Sequence, residues 1–125
     1  MVGIFLVGCA TFPGEVQFRL PEKFKGLVEV SQNPSAPNPF TPKDGRVAVK
    51  VPADGVIATP NLEMFQSGVH EEFVTSSGTP LNYEYEDSPA GVVRVYSLGY
   101  SISQGKPPRI GYFVGTPEEF KRVNR

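Results

Sequence analysis

From Val16 onward, apolar and polar residues alternate in short runs. Val16, Phe18 and Leu20 alternate with Gln17 and Arg19, a period of two that predicts a half-buried strand. Pro21 ends it, and Glu22-Lys23-Phe24-Lys25-Gly26 reads as a turn into Leu27-Val28-Glu29-Val30. Val47, Val49 and Val51 share a face. They are followed by Pro52-Ala53-Asp54-Gly55, where Pro fixes φ and Gly is free to take a positive φ. Val56-Ile57-Ala58-Thr59 comes at once, so residues 46–59 read as a hairpin. Glu72-Phe73-Val74-Thr75 predicts another strand. Further on, Leu81, Tyr83 and Tyr85 face one way and Asn82, Glu84 and Glu86 the other. In 92–102, Tyr96, Leu98, Tyr100 and Ile102 share a side, and Gly99 marks a bulge or bend. Ile110, Tyr112 and Val114 form the last strand. About seven or eight short strands between turns predict an all-β, antiparallel β-sandwich-like domain.

One helix closes the pattern. Thr116-Pro117-Glu118-Glu119 offers an N-cap, a Pro at the first helical position and a Glu three residues after the cap. Phe120 and Val123 would pack on the sheet, while Lys121, Arg122 and Arg125 suit the negative end of the helix dipole. So short a helix depends on tertiary contacts.

Composition agrees. In 125 residues there are 13 Gly and 13 Pro, which disfavours long helices. Val, with 16 copies, outnumbers Ala, with 6, and favours strands. A net charge of -1 argues against a nucleic-acid binder, which normally shows a basic face. One Cys excludes an internal disulfide and a Cys-rich zinc site, and one His excludes a His-pair metal centre. No cofactor or metal is expected.

No charged residue precedes Glu15. The opening apolar stretch is far shorter than the roughly 20 residues needed to span a bilayer. Its Leu6-Val7-Gly8-Cys9 resembles a bacterial lipobox. Such signals are cut before the Cys, whose thiol then carries a diacylglycerol. The resemblance implies cleavage at Gly8 and lipidation at Cys9. Residues 1–8 are then a signal-peptide remnant, 9–14 a lipidated tether and 15–125 the β-sandwich-like domain. The five residues 10–14 reach at most about 17 Å, so the domain would sit close to a membrane. The location implied is the cell membrane or outer membrane, lipid-anchored and outside the cytoplasm. The competing reading is an N-terminal strand with Cys9 as a buried thiol.

Other candidate sites compete with plainer structural roles. Residues 33–45 hold four Pro and favour an extended, polyproline-like loop. Such a loop would dock on a partner with Phe40 as anchor, flanked by Pro37 and Pro39, or serve only as a stiff connection. Residues 51–93 carry seven acids and no Lys or Arg, but no calcium-loop spacing, so they read as a solvated acidic face. His70-Glu71-Glu72 lacks the second His of a zinc-protease motif, since position 74 is Val. His70 with Glu72 remains the candidate pair for a small extracytoplasmic hydrolase, although no Gly-x-Ser-x-Gly elbow supports one. Tyr83, Tyr85, Tyr96, Tyr100 and Tyr112 would make either an aromatic platform for a glycan or peptide, or part of the core.

Three stretches together resemble an uncharacterised family of small bacterial exported proteins and lipoproteins. Residues 18–30 resemble I-P-x-G-F-x-G-x-V-x-V, residues 46–56 resemble R-x-Y-x-I-P-x-D-G-V, and residues 111–120 resemble F-F-V-G-T-x-x-E. The likeness spans about residues 16–122. It departs at Lys23, where that pattern often has Gly, and in the long proline loop. The resemblance implies an exported β-rich domain and assigns no functional residue. The function expected is a membrane-anchored, non-enzymatic component of the cell envelope. Its partners would be the bilayer, through acylated Cys9, and an envelope protein or glycan, with no nucleic acid. The alternatives are the hydrolase and a soluble binding module with an unprocessed N-terminus.

Overall fold

The computed structural model describes residues 14–40, 46–66, 69–83 and 91–123. Eight strands form two sheets: β1 (Glu15–Leu20), β2 (Gly26–Gln32), β3 (Arg46–Lys50), β4 (Val56–Thr59), β5 (His70–Thr75), β6 (Asn82–Tyr83), β7 (Arg94–Ser103) and β8 (Lys106–Gly115). A single helical turn, α1 (Glu63–Gln66), precedes β5, and the C-terminal helix α2 (Pro117–Val123) follows β8. One sheet has the order β3-β1-β5 and the other β4-β2-β8-β7-β6.

The domain is mostly β, but the expected antiparallel arrangement is corrected. All pairings of the three-stranded sheet are parallel. In the five-stranded sheet, β2 pairs with β4 and β6 with β7 in parallel, while β8 is antiparallel to both β2 and β7. The winding explains this. From β1 to β5 the chain crosses from one sheet to the other at every connection. Each crossing reverses its direction, so β3 and β5 return on either side of β1, and β4 beside β2, all in parallel.

Residues 46–59 are therefore not a hairpin: β3 and β4 lie in different sheets. The turn forms as expected, with the Gly55 N–H donating to Pro52 O at 2.9 Å and Gly55 at φ +77°. Its central residues Ala53 and Asp54 have negative φ, however. A two-residue hairpin favours positive φ at one or both of those positions, because only such turns match the strand twist. An ordinary turn splays the strands, and here it carries the chain across the sandwich.

The alternation does predict the faces. Val16, Phe18 and Leu20 of β1 are fully buried, as are Val28 and Val30 of β2 and Tyr112 and Val114 of β8. Phe18 lies at the centre, stacked on Phe73 with centroids 4.8 Å apart and tilted against Tyr112 at 5.9 Å. Offset and edge-on ring pairs of this kind add to the area that they bury.

The bulge expected near Gly99 occurs, with Gly99 at φ +81° and Leu98 as the extra residue. One inserted residue moves every following side chain to the other face. Tyr96 and Tyr100 therefore do not share a face: Tyr96 pairs with Phe113 and Tyr100 with Ile110. A second irregularity at Ile102 leaves that side chain 71% exposed.

The C-terminal helix forms as the sequence predicts. The Thr116 N–H donates to Glu119 Oε1 at 2.8 Å, and the Glu119 N–H donates to Thr116 Oγ1 at 3.2 Å. That is a reciprocal capping box. Phe120 packs on Tyr96 and Phe113, whereas Val123 stays exposed.

Candidate functional site

The registers define two ends of the sandwich. The lower end holds the starts of β1, β3 and β5, where Glu15 is level with Arg46 and His70. The upper end holds the finishes of those strands and the turn from β1 to β2. The first described residue, Gly14, accepts a hydrogen bond from the His70 N–H at 3.2 Å and so belongs to the lower end. Gly8 and Cys9 lie outside the described residues.

At the upper end the two sheets part around a cleft of about 430 Å³, lined by Leu20, Pro21, Lys23, Phe24, Lys25, Thr75, Leu81 and Val93. Leu20 is fully buried, and Phe24, Leu81 and Val93 are part-buried against the core. The two charged lining residues are both lysines. Lys25 is engaged by Glu119, with Nζ–Oε2 at 3.2 Å. Lys23 makes no hydrogen bond or ion pair to any described residue.

Lys23 also has φ +62°, a left-handed conformation rare for a residue with a β-carbon. Gly would take this conformation without strain, so Lys23 is held in a strained one.

A hydrogen-bonded network fixes the rim. Glu22 accepts from Ser76 Oγ and from the Ser77 N–H, both at 2.9 Å. The Ser77 backbone bond, followed by the Ser76 hydroxyl, holds the Glu22 carboxyl below the usual carboxylate range. Arg19 donates to Ser76 O at 3.3 Å and to Gln17 Oε1 at 3.0 Å, and Gln17 donates to Glu72 Oε1 at 3.1 Å. A second cleft of about 510 Å³ adjoins the first through Leu20 and Pro21 and includes Lys50. Sequence reasoning missed this end. No local signal marks it, because the residue type at Lys23 does not announce its positive φ.

The hydrolase candidates are only partly brought together. A cleft of about 260 Å³ is lined by His70, Glu71, Glu72, Phe73, Pro80, Leu81, Asn82 and Tyr83. Glu72 is bonded to Gln17, and the Tyr83 hydroxyl donates to Glu71 O at 2.6 Å. No Ser, Thr or Cys is among these described lining residues. Glu71, level with Val16, points to the inner face. Burial raises its pKa, opposed by the Tyr112 hydroxyl and then by His70. The Tyr112 hydroxyl is buried beside Glu71 but falls short of full hydrogen-bond geometry. Burial first, and then Glu71, push the Tyr112 pKa upward.

Phe40, expected as a partner anchor, is corrected. It is 2% exposed and meets Phe18 edge-on at 6.2 Å and Phe65 at 5.3 Å. An aromatic ring gains more by burial here than in water. Pro37 is exposed and Pro39 half-buried. The described tyrosines form no common platform. Tyr112 is in the core, Tyr96 lies under Phe120, Tyr83 is half-buried and Tyr100 is exposed, while Tyr85 lies outside the described residues.

The chain matches no known protein-family profile and no curated protein at a significant level. Its fold is shared with a 2.75 Å crystal structure of a Bacillus anthracis protein provisionally described as a lipoprotein. The two are 18% identical, with a TM-score of 0.53 over 90% of this chain and 80% of the other. The likeness is one of fold: a β-rich domain known in a protein of that description.

Proposed function

We propose that this chain is a membrane-anchored bacterial lipoprotein of the cell envelope, lipidated at Cys9 after cleavage at Gly8, with a non-enzymatic binding role. The observation that carries this reading is Leu6-Val7-Gly8-Cys9 placed immediately ahead of a β domain. The fold likeness to a protein described as a lipoprotein supports it. Each buried methylene of an acyl chain contributes about 0.8 kcal/mol, so two or three chains hold a domain stably on a bilayer. Among the described residues no helix is long and apolar enough to cross a membrane. The lower-end position of Gly14 supports a geometry in which the upper cleft faces away from the anchoring surface. Such a cleft suits a partner or ligand in the envelope space.

Metabolic labelling with a clickable palmitate in a bacterial host tests the anchor. The wild-type chain, expressed with its native upstream region, is expected to be labelled and to sediment with membranes. Cys9→Ser is expected to lose both properties. An unlabelled, soluble wild type would overturn the reading.

A further inference from the structure

We propose that the upper cleft binds a single-chain anionic amphiphile. Its alkyl chain lies over Leu20, Phe24, Leu81 and Val93, and its carboxylate or phosphate meets the Lys23 ammonium. The inference rests on the binding half of the function proposed above and not on lipidation of Cys9.

Four observations carry it. The volume of about 430 Å³ falls within the roughly 300–1,000 Å³ of small-ligand pockets. The lining is apolar except for Thr75 and two lysines, and no acid is among its described residues. Lys23 is the lysine left over: Glu119 engages Lys25, while Lys23 has no partner among the described residues. Lys23 is also held at φ +62°, where Gly would be unstrained. A strained conformation at the mouth of a cleft is the kind of outlier that marks ligand contacts.

A peptide added as a strand fits less well. Strand addition needs a free sheet edge. The upper edge of β5 is already taken, because the Thr75 N–H donates to Thr79 O and the Leu81 N–H to Phe73 O, each at 2.9 Å. What remains is side-chain surface, which suits an alkyl chain. The serine bonds to Glu22 hold the rim in place before a ligand arrives, which lowers the ordering cost of binding.

Isothermal titration calorimetry on the full-length chain carrying Cys9→Ser tests the site. The probes are dodecanoate, dodecyl phosphate and uncharged dodecyl maltoside, each below its micelle concentration. Both anions are expected to bind at least tenfold more tightly than the maltoside. Their ratio tells a carboxylate source from a phosphate source. Lys23→Asn tolerates the left-handed backbone without the charge, and is expected to weaken the anions at least fivefold with little effect on the maltoside. Lys23→Arg is expected to keep anion binding, and Lys23→Gly to lose it while raising the melting temperature. Lys50→Gln, in the adjoining cleft, is expected to change nothing. No binding, equal binding of the maltoside, or a Lys50→Gln loss equal to that of Lys23→Asn would overturn the proposal. A chain that binds dodecanoate yet fails palmitate labelling keeps this inference and loses the anchor.

Discussion

The ring of Phe120 lies flat on that of Tyr96, with centroids 4.0 Å apart and planes within 7° of parallel. Phe113 stands beside Phe120 at 5.9 Å. These contacts fasten a seven-residue helix, too short to be stable alone, to the outer face of the larger sheet. Phe120→Ala is expected to cost about 2 kcal/mol, below the usual 3–5 for a buried Phe because this ring keeps some exposure. Urea unfolding measures it. Helical circular dichroism should fall in the same variant, and a cost within error of zero would contradict the docking.

Phe40 tests the corrected role of the proline loop. Its ring fills the space between Phe18 and Phe65. Phe40→Ala is expected to destabilise the domain by about 3 kcal/mol through lost burial and the cavity left behind. Pro37→Ala, on the exposed part of the same loop, is expected to stay within about 0.5 kcal/mol. Equal effects in thermal unfolding would return Phe40 to the surface.

Gly55 and Gly78 share a positive φ but not their surroundings. A β-carbon on Gly55 would strike the carbonyl oxygen of Leu27, whereas one on Gly78 would meet open space. Ala in a left-handed conformation costs about 1–2 kcal/mol by itself. Gly78→Ala is expected to show that cost alone. Gly55→Ala is expected to exceed it by at least about 1 kcal/mol, since the backbone must also shift. Denaturant midpoints of the two variants decide the matter.

Glu71 makes stability depend on pH. Burial raises its pKa above the ordinary 4.5, so the folded chain keeps a proton there that the unfolded chain has already released. The stability this contributes is full below the ordinary value and is lost as pH rises through the raised one. Glu71→Gln is therefore expected to be more stable than the wild type at pH 7, with the advantage vanishing below about pH 4. Urea midpoints taken between pH 4 and 8 check the sign. An advantage that is constant across this range would exclude titration of Glu71 as the cause.

Much of the candidate site was hidden in the sequence for identifiable reasons. Lys23 stands in a stretch that reads as a turn, but the Gly available for a positive φ there is Gly26, and nothing in the residue type at Lys23 announces that it takes one too. Leu81 and Val93 read as ordinary strand residues. Leu81 joins Leu20 and Phe24 because residues 79–81 double back along β5, and Val93 because it leads into β7 of the other sheet. Phe40 looks like a surface anchor within a run of prolines, since local sequence carries no record of the gap beside Phe18. The capping box of Thr116 and Glu119 was fully legible, because both partners lie within one turn of the helix.

Although it misplaced the faces beyond the bulge at Leu98 and the burial of Phe40, the sequence by itself determined the inward faces of β1, β3 and β8, the turn at Pro52–Gly55 and the start of the final helix. These features depend on side-chain alternation and on neighbours a few positions apart. Only the tertiary structure decided which strands pair and in which direction. That choice depends on whether each connection turns back within a sheet or crosses to the other. At Pro52-Ala53-Asp54-Gly55, two central residues with negative φ send the chain across the core, and with that crossing the expected hairpin becomes one strand in each of two sheets.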